Sequence, residues 1–188
     1  MVEREKKYLV RELPNLDGLI GVAIKQGYFS IEKQGPAVAS PLRIRQEDED
    51  YSLVKKFTIE PGNFGLSREA TISLSAHEFE SLWPAARFRL AKTRYRLPLQ
   101  AGLVAELDIF SDQLFGFVQV EVEFASAQEE HEFVPPDWFG ADITVFKWAH
   151  NAFYVTVSYD ELKKLMEADG LAIPWILDTN CQLLYTQN

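Results

Sequence analysis

The chain has 188 residues, enough for one domain with a sizeable core, and its 47% apolar content excludes a disordered polymer. A net charge of −9 weighs against a nucleic-acid polymer or an acidic membrane surface as partner, since both want a basic excess, while leaving room for a local basic lining. Cys181 is the one cysteine and excludes an internal disulfide; with no leader-like segment and no apolar run of bilayer-spanning length, the expectation is a cytoplasmic protein.

In chain order, residues 4–10 read as a strand, with Glu3, Glu5 and Lys7 at spacing two on one face and Tyr8 and Val10 on the other. Strand-like stretches follow at 20–31, 42–46, 51–59, 70–74, 91–99, 103–110 and 117–124. Turn-rich segments divide them: "EKQGPAVASP", "QEDED", "EPGNFG", "PLQAG" and "FSDQLFG". Ser75 starts the helical "SAHEFESLWPAAR", with Glu78 completing a capping box. "PPDWFG" at 135–140 reads as one short turn of helix. Ser158 and Glu161 repeat the capping box before "LKKLMEADG", where Leu162, Leu165 and Met166 form an apolar stripe and Gly170 suits a C-cap. The closing "LAIPWILDTNCQLLY" is apolar enough to close one end of a barrel or to meet a second copy as a homodimer. Roughly eight short strands joined by tight turns predict an antiparallel sandwich or barrel.

Charge at spacing two recurs. "LRIRQ" puts Arg43 and Arg45 on one face, "KTRY" Lys92 and Arg94, "AELDIF" Glu106 and Asp108, and "QVEVEF" Glu121 and Glu123, while Ile44, Leu107 and Val122 take the opposite faces. One such strand is an ordinary solvated face. Five of them, all bulky and apolar on the other side, are better explained by a closed barrel with a charged lumen. Lys56 and Glu69 join the candidate lining. Like charges crowded into a lumen repel, and unpaired ones are costly; several of these could pair internally, and the more economical content is a polyanion held by the bases with divalent cations held by the acids. Phosphate oxygens suit Arg forks and Lys point charges. Carboxylates suit Mg²⁺ or Mn²⁺ bridged to phosphate, whereas three histidines and a lone cysteine argue against zinc.

These residues carry a resemblance to a known family. "EREKKYLV" resembles the opening E-x-E-x-K signature of the CYTH proteins, or triphosphate tunnel metalloenzymes. The likeness continues in order through "KQGYFS", "LRIRQ", "YSLVKKF", "GLSRE", "KTRYRLPL", "AELDIFSDQLFGFVQVEVEF" and "VPPDWFG", over about residues 3–154. The resemblance implies an α+β, mainly β fold: a closed eight-stranded antiparallel barrel with a few helices packed outside. It also implies a single domain over 1–188, with its core at 3–154 and a helical or plug segment at 155–188. Implied with it is metal-dependent hydrolysis of a triphosphate, inorganic tripolyphosphate first, with adenylate cyclisation or non-catalytic polyphosphate binding as alternatives.

Carried over residue by residue, the resemblance makes Lys7, Arg43, Arg45, Lys56, Lys92 and Arg94 phosphate ligands. Glu3, Glu5, Glu106, Asp108, Glu121 and Glu123 become ligands of Mg²⁺ or Mn²⁺. Glu5, Lys7, Glu69 and Lys92 form the catalytic group, with Glu69 or a second metal ion orienting the attacking water. "SREATI" offers one acid, Glu69, where the family often shows two alternating acids, and a second segment departs from the family pattern T-x-D-x-R-Y-x-N. It reads "TVFKWAHN", with Phe146 in place of an Asp ligand and Trp148 and Ala149 in place of Arg and Tyr, while Lys147 and Asn151 remain.

Overall fold

The structure, a computed structural model, describes residues 2–31, 41–60, 63, 65–171 and two short paired strands at 176–177 and 183–184. Eight strands form the body. They are β1 (Val2–Val10), β2 (Val22–Tyr28), β3 (Arg43–Glu47), β4 (Asp50–Thr58), β5 (Leu66–Leu74), β6 (Phe88–Pro98), β7 (Val104–Phe110) and β8 (Val118–Glu123). All neighbours pair antiparallel in the order β5-β4-β3-β2-β6-β7-β8-β1, and β1 returns to β5 through Glu3 opposite Ser67, so the sheet closes on itself. Closure removes the exposed edges that an open eight-stranded sheet would leave.

The second strand is shorter than the 20–31 expected, and the fifth is longer than 70–74. The added residues of β5, Leu66 to Arg68, are the ones that meet β1 and close the ring. "PPDWFG" is not helical. The Phe139 amide donates to the Pro136 carbonyl (3.0 Å), and the chain then enters a ninth strand, β9 (Phe139–Asp142). The cause lies in β1. Its pairing with β5 ends at Arg4, so Tyr8 and Val10 need another partner and find Asp142 and Phe139. Gly140 permits the approach, because a Cβ there would come within 3.1 Å of the Leu9 carbonyl oxygen.

Outward-facing apolar residues are covered in two places. Tyr8, Val10, Leu107, Val120 and Val122 pack with Phe124, Phe133, Trp138 and Phe139 and with leucines of the 11–19 loop. Ile44 lies under α1 (Ala76–Leu82) through Phe79, with Trp83 and Ala86 beside it. The capping box expected at Ser75 and Glu78 is formed. Gly27 is required beneath this cover, since a Cβ would meet Ala86 at 2.7 Å and Trp83 at 2.9 Å. A short helix not expected from the sequence, α2 (Ala127–Glu132), is capped by Ser126 and tied to β1 by the Arg4–Glu130 pair at 2.7 Å.

The third cluster closes the barrel. Leu9, Leu90, Phe110 and Phe117 share the inward faces of their strands with the charged residues, but lie at one end. They pack against Ile143, Trp148 and Ala149, Tyr154 of α3 (Asn151–Tyr154), and Leu162 and Met166 of α4 (Tyr159–Ala168). Tyr154 meets Phe110 and Phe117 edge-on, at 5.4 and 5.3 Å, contacts of about 0.5–1.5 kcal/mol each beyond the area they bury. The capping box of Ser158 and Glu161 and the stripe of α4 are as the sequence predicts, and the stripe is what presses this floor against the strands. The barrel is thus a cup, not an open pipe. The closing stretch "LAIPWILDTNCQLLY" lies mostly outside the described residues. Among the described residues no helix is long and apolar enough to cross a membrane.

Candidate active site

Residues paired across antiparallel strands lie on the same face, so the register assigns the lining. Glu5 sits opposite Glu123, Lys7 opposite Glu121, and Glu106 opposite Glu121 on its other side. Arg94 faces Asp108, and Lys56 faces Glu69. Glu3 reaches the same space, since its carboxylate is 2.8 Å from Lys56 Nζ. Arg43 completes the set by reaching Glu69 at 3.3 Å, and Arg45 by pairing with Glu47. Every candidate named from the sequence therefore stands on the inner face of one cup.

Charged lining residues that escaped that reading include Arg96 and Glu47. Arg96 continues the 92, 94 column and bonds Glu47 (2.5 Å) and Glu106 (3.1 Å); Glu47 continues the 43, 45 column. Both were legible as a third residue at spacing two. Tyr28, with its hydroxyl 3.1 Å from Gln26 Oε1, and Lys25 stand on opposite faces of β2, Tyr28 buried and Lys25 exposed.

Depth sorts the charges. Asp108 is fully buried, and Arg94 grips both of its oxygens, Nε to Oδ1 and Nη2 to Oδ2, each at 2.6 Å, while Lys92 also bonds Oδ2. Arg94 reaches Glu106 as well, and Glu121 at 2.8 Å. Lys7 bonds Glu121 at 2.9 Å and lies 3.4 Å from Glu5. Near the mouth Glu123 is exposed and Glu106 half-buried, and Lys56 lies 3.7 Å from Glu5.

These neighbours set the protonation states. Burial pushes Glu121 up, but Lys7, Lys92 and Arg94 together hold it well below the usual carboxylate range. Glu5 is held down against burial by Lys7 and Lys56. Lys7 is raised against burial by Glu121 and Glu5, and so stays a cation. Lys92 goes the other way. Burial, with Arg94 beside it, lowers it to about 8 despite Asp108. Glu123 is pushed up, first by burial and then by Glu106, Glu3 and Glu5. His150, at the start of α3, is lowered to about 3 by burial and by Lys7, and stays neutral.

The donor set bears on a metal. Among the described residues no three His, Cys, Asp or Glu side chains form a ready cage. What exists is a crowd of hard carboxylates at the mouth, with Glu123 raised by partial burial and then by its acidic neighbours. A divalent cation relieves such crowding. Mg²⁺ commonly takes one or two carboxylates and completes its shell with water and phosphate, so these residues fit it without a cage.

The altered segment "TVFKWAHN" belongs with the floor. Phe146 stacks on Trp148 (5.3 Å between centroids, 25° between planes) and packs against the closing cluster. Trp148 Nε1 donates to Asp169 at 2.6 Å, fastening the end of α4. Thr144 supports the other side, its hydroxyl accepting from the Lys7 amide at 3.0 Å.

Against known proteins, no protein-family model matches the chain. An inorganic triphosphatase of Nitrosomonas europaea is 38% identical over 146 residues, which span 77% of this chain and 90% of that protein. A crystal structure of an inorganic triphosphatase superposes with a TM-score of 0.61 at 33% identity, covering 82% of this chain and 95% of the other. A Hippeastrum protein, described as a candidate adenylyl cyclase with a dominant triphosphatase activity, superposes at 0.50 with 15% identity over 90% of this chain and 88% of its own, a likeness of fold.

Proposed function

Since the chain belongs to the triphosphate tunnel, or CYTH, family, we propose that it hydrolyses inorganic tripolyphosphate with Mg²⁺ or Mn²⁺ in the charged half of its cup. The carrying observation is the lining itself. Lys7, Arg43, Arg45, Lys56, Lys92 and Arg94 face one space that is closed at its far end. Leu9, Leu90, Phe110 and Phe117, the apolar inward residues of four strands, are already packed against α3 and α4 and so are taken up by the floor. That favours a substrate that is all phosphate over ATP cyclisation. The segment around Phe146 packs with the floor.

The bases are held in waiting by acids. Lys56 rests on Glu3, Arg43 on Glu69, and Lys7 on Glu121. An entering triphosphate exchanges these partners for its own oxygens, so each base gives up a bond as it makes one. Arg43, Arg45 and Lys56 fix and neutralise the phosphate chain, and Arg94 and Lys7 meet it deeper in the cup. Glu69, its Oε1 accepting from Thr71 at 2.9 Å, is fixed to hold a water in line with the terminal phosphorus. Attack forms the new P–O bond as the bridging P–O bond breaks, and diphosphate leaves. Asp108, whose oxygens are both taken by Arg94 and Lys92, supports the bases in this scheme. Glu3, Glu5 and Glu123 would hold the divalent ion, which supplies Lewis-acid neutralisation of phosphate oxygens when bound.

The test is phosphate release from tripolyphosphate, thiamine triphosphate and ATP, each with Mg²⁺, Mn²⁺ or chelator. Fastest release from tripolyphosphate, abolished by chelator, is the expected result. Cyclic nucleotide from ATP, or tight binding without release, would replace this reading.

A further inference from the structure

One buried polar chain joins the floor to the charged half. Tyr154 Oη donates to Gln119 Oε1 at 2.8 Å, and Gln119 Nε2 donates to Glu121 Oε1 at 3.0 Å. Tyr154 and Gln119 have no exposed surface, and Glu121 has 6%. Glu121 is shared further: Lys7 donates to the same Oε1 at 2.9 Å, and Arg94 to Oε2 at 2.8 Å.

The chemistry of these groups gives the chain a direction. A carboxylate only accepts, so it must see the amide NH₂ of Gln119 and not its carbonyl. The carbonyl then points at Tyr154, whose hydroxyl can donate. The phenol ring cannot turn aside, because Phe110 and Phe117 hold it edge-on from two sides. With that hydroxyl removed, the amide is free to rotate and present its oxygen to Glu121, which would repel it.

We propose that Tyr154 and Gln119 are positioning residues for Glu121, keeping this carboxylate in place while Lys7 and Arg94 are drawn onto the substrate. The effect on turnover rests on the triphosphatase reading above; the effect on Glu121 does not. Neither residue touches the phosphates in this scheme. Their loss therefore alters turnover more than substrate affinity.

The test is a double-mutant cycle on the full chain with Tyr154→Phe and Gln119→Met, which delete the hydroxyl and the amide with little change in volume. Expected are falls in kcat of about fivefold for Tyr154→Phe and roughly tenfold for Gln119→Met, with KM for tripolyphosphate within about twofold. The double variant should be no slower than Gln119→Met alone, because the hydroxyl acts only through the amide. Independent, multiplying losses, or a lowered melting temperature with kcat unchanged, would overturn the proposal and leave the pair as ordinary core contacts. A second readout needs no turnover. In the wild type the side-chain amide protons of Gln119 should exchange slowly with water by NMR, and Tyr154→Phe should speed that exchange. If the wild type releases no phosphate from any triphosphate but the amide behaves this way, the functional reading fails and the positioning stands. Amide exchange that Tyr154→Phe does not alter sinks the positioning itself.

Discussion

Two halves of one lumen are built on the same faces of the same strands. Along β1 the inward column runs Glu3, Glu5, Lys7 and then Leu9; along β8 it runs Glu123, Glu121, Gln119 and then Phe117. β6 changes from Arg94 and Lys92 to Leu90, and β7 from Asp108 to Phe110. The switch from charge to hydrocarbon falls at a common depth, with the uncharged polar Gln119 at the border. Charge is stable in the upper half because each buried group has an opposite partner or an open mouth. The lower half is stable because it is dry and packed. The cup can hold a polyanion only because the two are kept apart.

The largest effects should come from breaking either half, and they should differ in kind. Phe117→Ala leaves a cavity in the floor and should cost about 3–5 kcal/mol in urea unfolding. Arg94→Met should cost a comparable amount, roughly 3–5 kcal/mol, by breaking the buried pair with Asp108 and leaving that carboxylate with Lys92 alone. The difference lies in rescue. Adding Asp108→Leu and Lys92→Met to Arg94→Met should recover stability, because the triple variant removes Asp108 together with both cations that bond it, and phosphate release should stay lost. A triple variant less stable than Arg94→Met would mean that this buried cluster is not what couples the positions.

A smaller effect is expected where the halves meet. His150 titrates near 3 when folded, against 6.5 for the free side chain. The unfolded chain thus binds a proton that the folded chain refuses, and stability must fall as pH drops from 6.5 toward 3. Between 6.5 and about 4.5 this loss belongs mainly to His150, since Glu5 and Glu121 stay ionised in the fold. His150→Gln should flatten the unfolding free energy over that window by roughly 1–2 kcal/mol. An equal slope in variant and wild type would show the imidazole to be protonated in the fold. Smallest is the cap that holds α4 to the floor. Ser158→Ala removes the acceptor for the Glu161 amide and should cost about 1 kcal/mol, measured by thermal unfolding.

The charged half was legible in the sequence, and the floor was not, for a physical reason. Charges at spacing two on otherwise apolar strands announce which face points inward, and the closed barrel follows from the number of such strands. Glu47 and Arg96 were missed only because "QEDED" and "RLPL" read as turn and strand end, although each continues its column. Leu9, Phe110 and Phe117 give no such sign. Their outward neighbours are apolar too, so alternation vanishes just where the floor begins. β9 followed from an edge left open when β5 ends, which no local pattern records. The link from Tyr154 to Gln119 joins residues 35 apart and depends on how α3 seats under the barrel. Phe146 stands where the family pattern has an Asp, and its neighbours in the structure are Trp148 and the floor.

Adjacent lysines on β4 offer the most direct test of whether the inner face binds the substrate. Lys56 faces Glu69 and the lumen; Lys55 faces Ala70 on the opposite side of the same strand. The measurement is the Kd for tripolyphosphate, by calorimetry with Mg²⁺ present, for Lys55→Gln and Lys56→Gln. Expected is a weakening of roughly ten- to a hundredfold for Lys56→Gln, the worth of one charge-assisted hydrogen bond, and no change for Lys55→Gln. Equal losses in both, or none in either, would contradict binding on the inner face.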